Sequence, residues 1–265
     1  MRTSIVVFTR VPKTGETKTR LTTERGGILT AEEARRLYEG CLLDVINTCI
    51  KADCGQVHIC YNAAGEVAYL EQLLEKTVGR AKICGVYPDQ GGSFDDCMQY
   101  AADYILQSDT SADAPSAVII VGGDIPTLQP SIVQDAVKKL HRLATDNYRG
   151  QPGKALVEGA CQEGGFSLVG FTSCTPFDFK GVFYNPDAVT ALDMLVAKAE
   201  QNAIPLAVVE AVPDVDIPVD LASMIPVVKA LKTASAYDPT ILVPVNTLRV
   251  LDEIGLESTA PPHQR

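Results

Sequence analysis

Apolar residues fall along this chain in two alternating rhythms. Short β-branched runs at 4–9, 56–61, 81–87 and 118–121 read as strands, the last apolar throughout and suited to burial on both faces. Between them the spacing changes to 3.6. Ala34, Leu37, Tyr38, Cys41, Leu42, Val45, Ile46, Cys49 and Ile50 predict a helix that runs to about Lys51. Thr30 and Glu33 form a capping box at its start. Further helices are predicted over 66–75, from Ser93 through Ile105, and over 131–143, 186–201 and 220–232. Further strands are predicted over 155–158, 166–171 and 205–212. Strand and helix alternate, which is the pattern of an α/β fold with a mostly parallel sheet. The reading is one domain over 1–232 and a C-terminal appendix over 233–265, amphipathic at 241–254 and ending in a flexible tail. That amphipathic stretch fits packing on the same chain or on a partner such as a second copy in a homodimer.

Composition narrows the class. At 265 residues and 46% hydrophobic content the chain can bury a large core. No apolar run approaches the length of a membrane span, and the N-terminal run is too short for a signal peptide, so a cytoplasmic location is expected. The eight cysteines show no C-x-x-C pair and no histidine at zinc-ligand spacing, so reduced core thiols are expected. His58, a lone strand histidine, reads as structural. A net charge of −10 argues against nucleic-acid and membrane-surface partners. Residues 1–25 run the other way, with six basic groups against two acidic ones. A basic island in an acidic protein suggests a small anionic ligand at that place.

Candidate chemistry gathers at strand ends. The loop after the first strand, Arg10 to Leu21, contains Pro12 and Gly15 and carries Arg10, Lys13, Lys18 and Arg20. It lacks Walker A spacing, yet four cations there suit a di- or triphosphate. The run 118–121 ends in Gly122-Gly123-Asp124-Ile125-Pro126, which holds one carboxylate at the carboxyl end of a central strand. Asp124 stands six residues before Pro130, too far to cap the next helix. Gly91-Gly92 before a helix start offers free backbone N–H groups for a base edge or a phosphate, or is only a turn. Glu163 precedes Gly164-Gly165. In P-D-V-D-I-P-V-D-L, Asp214 and Asp216 alternate in extended chain and are expected to point to opposite sides, with Asp220 opening the next helix.

Four segments taken together, V-V-F-T-R-V-P-K-T-G-E-T-K-T-R-L, G-G-D-I-P-T-L, E-G-G-F-S-L-V-G and D-V-D-I-P-V-D-L, resemble the DUF2064 or glycosyltransferase-like family. That family lies in the nucleotide-diphospho-sugar transferase superfamily, and K-T-R-L is also similar to the K-S-R-L of phospholactate guanylyltransferases. The resemblance covers nearly Ser4 to Leu231. It implies a GT-A fold, a Rossmann-like three-layer sandwich binding a nucleotide with Mg²⁺ or Mn²⁺. It implies that Asp124 and Asp216 hold the metal and that Lys18 and Arg20, with Asp124, are catalytic. Arg10, Lys13, Gly15, Lys18 and Arg20 would serve the phosphates, Gly91 and Gly92 the base, and Glu163, Gly164 and Gly165 the acceptor side. The family's D-G-G-Y reads E-G-G-F here, G-D-L-G reads G-S-F-D, and W-S-T reads Phe183-Tyr184-Asn185. The implied activity is nucleotidyl transfer from an NTP to a small anionic acceptor. The alternatives are glycosyl transfer from a nucleotide sugar and non-catalytic nucleotide binding.

Overall fold

Seven strands form one sheet in the order β3-β2-β1-β4-β6-β5-β7. The computed structural model describes residues 1–108, 115–146, 150 and 152–257. The expected loops around 109–114 and 147–149 and the tail from 258 lie outside them. The strands are β1 (Arg2–Thr9), β2 (Gln56–Tyr61), β3 (Ile83–Pro88), β4 (Ser116–Gly122), β5 (Leu156–Ala160), β6 (Phe166–Thr172) and β7 (Leu206–Val209). The helices are α1 (Ala31–Ala52), α2 (Val67–Leu74), α3 (Phe94–Ser108), α4 (Pro130–Thr145), α5 (Ala191–Gln201), α6 (Pro218–Ala234) and α7 (Val245–Glu253). All strand pairings are parallel except those of β6, which runs against both β4 and β5.

Alternation along the central strands sorts the core into two layers. Ile5, Val7, Ile119 and Val121 face one side, with Leu42, Ile46 and Leu70 from α1 and α2 and Val133 and Leu140 from α4. Val6, Val118 and Ile120 face the other, with Met98 and Ala101 of α3 and Leu195 of α5. A third cluster joins α1, α6 and α7 through Leu37, Cys41, Leu221, Ile225, Leu248 and Leu251. Gly40 of α1 lies so close to α7 that a Cβ there would stand 3.0 Å from the Asn246 carbonyl oxygen. The segment before α7 is tied to the start of α4, because the Gln129 amide donates to the Leu242 carbonyl at 3.1 Å and accepts from its N–H at 2.9 Å.

From β1 the chain builds toward β3 and then returns to place β4 on the other flank of β1. The crevice between the carboxyl ends of β1 and β4 is therefore the topological switch point, where an open α/β sheet receives ligands. The loop carrying Lys18 leaves one side of it and Asp124 the other.

Local expectations mostly match. The Thr30–Glu33 capping box is present, and Ser93 and Asp96 cap α3 reciprocally. Helix α5 begins at Ala191 rather than 186, because the Asn185 side chain closes a turn on Val189 and Thr190 caps the helix. The eight cysteines are free, but Cys84 and Cys174 are exposed rather than in the core. Among the described residues no helix is long and apolar enough to cross a membrane.

Candidate active site

The loop after β1 folds on itself. The Lys13 carbonyl accepts from Glu16 and Thr17, and the Thr17 hydroxyl accepts from the Lys13 N–H. Asn62 at the end of β2 anchors the loop by accepting from the Val11 N–H at 2.7 Å. Lys18 then takes a left-handed conformation (φ 51°, ψ 40°) before a single 3-10 turn at Thr19–Leu21. That turns its side chain inward over the ring of Tyr38, with Nζ 5.6 Å from the ring centre. Tyr38 is fixed by a 2.6 Å hydroxyl–hydroxyl contact with Thr9, the last residue of β1.

Across the crevice the β4 turn brings backbone unusually near β1. A Cβ on Gly123 would lie 3.1 Å from Thr9 Oγ1 and 3.2 Å from the Tyr38 hydroxyl, so glycine is what permits the approach. Asp124 follows, and its Oδ2 accepts from Lys18 Nζ at 2.6 Å. The same ammonium donates to Asp216 Oδ1 at 2.5 Å. The Lys18 side chain is only 10% exposed. Arg20, 63% exposed, stands at 3.7 Å from Asp216 Oδ2.

Asp214 completes the group. Among the described residues, Asp124, Asp214 and Asp216 each place a carboxylate oxygen within 4.8 Å of the others. This corrects the expectation that Asp214 and Asp216 diverge. Strand β7 ends at Val209, so the segment beyond it carries no sheet pleat to force alternation. Instead Gln162 clasps the Asp214 backbone, donating to its carbonyl at 2.7 Å and accepting from its N–H at 3.2 Å. Asp220, in the first turn of α6, accepts from the N–H groups of Asp216 and Ile217.

The charges are strongly coupled. Burial alone would lower the Lys18 pKa, but the attraction of Asp124 and Asp216 together outweighs it and raises it, so the ammonium stays charged. Burial also opposes ionisation of Asp216, yet Lys18 and Arg20 hold its carboxyl below the usual range. Among the described residues Asp214 has no such partner within reach of a hydrogen bond. Burial, then the negative charges of Asp124 and Asp216, push it up to about 6. The neighbouring Cys161 thiol is pushed up to about 12, first by burial and then by Asp214. The donor set is thus three carboxylates with a protonated thiol beside them, and hard oxygen ligands of this kind suit Mg²⁺ or Mn²⁺ rather than a thiophilic metal.

The other predicted site residues lie around this centre. Lys13 is paired with Glu16 at 2.5 Å, and Arg10 and Gly15 are exposed on the same loop. Gly91 and Gly92 take positive φ (71° and 99°) in the turn between β3 and α3, where Asp89 accepts from the Gly91 N–H. Glu163 is exposed with φ 59° in the β5–β6 turn, next to Gln162. Packing accounts for both adjacent glycines. A Cβ on Gly164 would lie 2.6 Å from Thr190, and one on Gly165 would lie 2.7 Å from Cys161 Sγ.

Tyr38 and Gln162 carry no sequence signal for this role. An aromatic row lies on the opposite face of the sheet. There Phe94 meets Phe8 of β1 at 5.7 Å between ring centres, Phe183 at 4.5 Å and Tyr184 at 6.5 Å. Tyr184 is 89% exposed. Phe8 pairs in register with Gly122, two residues before Asp124, so the row borders the same crevice.

The family model for DUF2064, described as an uncharacterized protein conserved in bacteria, matches residues 45–186. The chain belongs to the DUF2064 family. No curated protein sequence matches this DUF2064 chain. Among solved structures it is similar to a protein from Desulfovibrio desulfuricans G20 inferred to be a nucleotide-diphospho-sugar transferase. That match has a TM-score of 0.70 and 20% identity over 96% of this chain and 97% of that one. It shows that the DUF2064 chain has the nucleotide-diphospho-sugar transferase fold, with the α/β, GT-A-like sheet described above. A nucleotidyl transferase from Methanothermobacter thermautotroptrophicus gives a looser match, with TM-score 0.46 and 12% identity over 95% and 97% of the two chains. A CMP:2-keto-3-deoxy-manno-octonic acid synthetase complexed with CTP gives TM-score 0.42 and 12% identity over 89% and 100%. At those scores neither of these two adds to the argument.

Proposed function

We propose that this chain is a divalent-metal-dependent nucleotidyltransferase that joins an NTP to a small anionic acceptor. One observation carries the reading. Lys18 and Arg20 from the cationic first loop meet Asp124, Asp214 and Asp216 at the switch point of the sheet. In the reaction an acceptor oxygen attacks the α-phosphorus, the bond to the bridging oxygen breaks, and pyrophosphate leaves with the bonding pair. Such a transfer depends on positioning and on neutralising phosphate charge. Asp124, Asp214 and Asp216 would hold Mg²⁺ or Mn²⁺, which when bound offsets the charge of the phosphates. Lys18, Arg20, Arg10 and Lys13 would face the triphosphate, and an already ionised acceptor needs no general base. The turn at Gly91 and Gly92 is assigned to the base, and the Glu163–Gly165 turn to the acceptor.

A second reading, glycosyl transfer from a nucleotide sugar, is favoured by the exposed Tyr184 beside Phe94, since aromatic faces suit the apolar side of a sugar ring. Thermal-shift titration with the four NTPs and with UDP- and GDP-sugars, each with and without Mg²⁺, separates the two. A ligand at a hundred times its Kd adds about 2.7 kcal/mol to stability. A metal-dependent shift with an NTP, followed by pyrophosphate release on adding acceptor, supports nucleotidyl transfer. A shift with a nucleotide sugar alone moves the reading to glycosyl transfer. Turnover unchanged in a folded Asp124→Asn variant would overturn both, because loss of such an electrostatic centre costs on the order of 100-fold.

A further inference from the structure

Lys18 is already bound to two of the three carboxylates that the proposed metal needs. Its ammonium touches Asp124 Oδ2 and Asp216 Oδ1 at 2.6 and 2.5 Å. Asp124, Asp214 and Asp216 gather ligand oxygens within 4.8 Å of one another. A Mg²⁺ ion draws its oxygens in to about 2.0–2.1 Å. An ammonium held between two of these carboxylates repels a dication drawn into the same cluster and competes with it for their charge. Without the ammonium, three carboxylates would face each other with the exposed Arg20 beside Asp216.

We infer that Lys18 is the resident counter-ion of Asp124 and Asp216 and exchanges with the divalent cation, moving from the carboxylates to the phosphates as the site loads. The inference rests on the metal-dependent reading above and adds an order to it. Metal alone binds weakly, because it must displace a charge already in place, and nucleotide phosphates give that charge somewhere to go. The local build permits the movement. The Lys18 backbone is fixed between the Lys13–Thr17 turn and the Thr19–Leu21 turn. Its four-carbon stem can still carry the ammonium several ångströms by rotation alone. The Tyr38 ring beneath it keeps part of its attraction along the way.

The exchange makes a counter-intuitive prediction about a residue of the phosphate loop. Removing it should strengthen metal binding in the absence of nucleotide. Mn²⁺ is the probe, with the free ion followed by electron paramagnetic resonance. Lys18→Met should bind Mn²⁺ at least about tenfold more tightly than the wild type, and the double variant Lys18→Met/Asp124→Asn should lose that gain. Equal or weaker binding by a folded Lys18→Met overturns the exchange. A second measurement uses the wild type and does not depend on the variant folding. Reductive methylation of Lys18, read by mass spectrometry, should be slow in the free protein and several-fold faster once Mn²⁺ is bound. Unchanged labelling with Mn²⁺ demonstrably bound overturns the exchange while leaving the metal reading intact. If Mn²⁺ binds neither protein, with or without NTP, the metal reading fails and takes the exchange with it.

Discussion

The carboxylate of Asp44, in the middle of α1, accepts the backbone N–H of Thr247 at 2.7 Å. Through its other oxygen it also accepts the N–H and side-chain amide of Asn246. One acidic residue thus satisfies the first turn of α7 from a helix about 200 residues earlier in the chain. Burial nevertheless raises its pKa, because taking a carboxylate out of water outweighs the stabilising N–H groups. Asp44→Ala leaves two helix-end donors unpaired in a buried seam, and should lower unfolding free energy by about 2 kcal/mol. Urea denaturation would show this as an earlier midpoint. An unchanged midpoint would mean that α7 finds its cap elsewhere.

Asp214 gives the pH dependence. Its pKa is about 6 in the folded chain against 3.8 for an ordinary aspartate. The folded state therefore holds the proton more tightly than the unfolded state. Stability falls as pH rises from near 4 to near 6 and then levels off. Asp214→Asn should melt above the wild type at pH 7.5, and the two should converge toward pH 4. Thermal melts at the two pH values check the sign. A variant that melts below the wild type at pH 7.5 would refute the like-charge account.

Gln162 touches no candidate ligand atom, yet it holds the Asp214 backbone from both sides. Gln162→Ala should weaken Mn²⁺ binding about tenfold, in the range seen when residues that orient metal ligands are removed. Thermal stability without metal should change little. Rescue by Gln162→Glu, which keeps the acceptor but not the donor, should be partial. Full metal affinity in Gln162→Ala would show that the loop needs no clasp.

Glu158 is a buried carboxyl on β5 in register with Val169 of β6 and Val208 of β7, and among the described residues its Oε2 has no hydrogen-bond partner. Burial raises its pKa. The sign is that of Asp214, so the neutral isostere Glu158→Gln should be at least as stable as the wild type at pH 8 and lose that advantage by pH 4. Differential scanning calorimetry at both values would decide it.

The fold was legible because its signals are local. The apolar run at 118–121, the box at Thr30 and Glu33 and the Gly122-Gly123-Asp124 turn each need only a few neighbouring residues, and each stands where the pattern puts it. Lys18, Arg20, Asp124 and Asp216 could be assembled because each belongs to a segment with its own signature. Asp214 could not, since its direction depends on Gln162, 52 residues away, and not on strand geometry. Tyr38 shows the same limit. In sequence it is one apolar position on an amphipathic helix, and only the packing of α1 on β1 puts its ring under an ammonium. The start of α5 was misplaced because periodicity does not register the turn at Asn185–Val189, where Ala188 takes a φ of 53°.

The Gln129–Leu242 amide bridge couples two distant regions of the chain. Gln129 stands at the far end of the turn that carries Asp124, and Leu242 lies beyond α6. The last stretch of chain therefore works as an outside brace on the turn, much as a flying buttress meets a wall away from its window. A chain shortened after α6 should keep its sheet and the carboxylates of Asp124, Asp214 and Asp216, yet hold Asp124 less firmly.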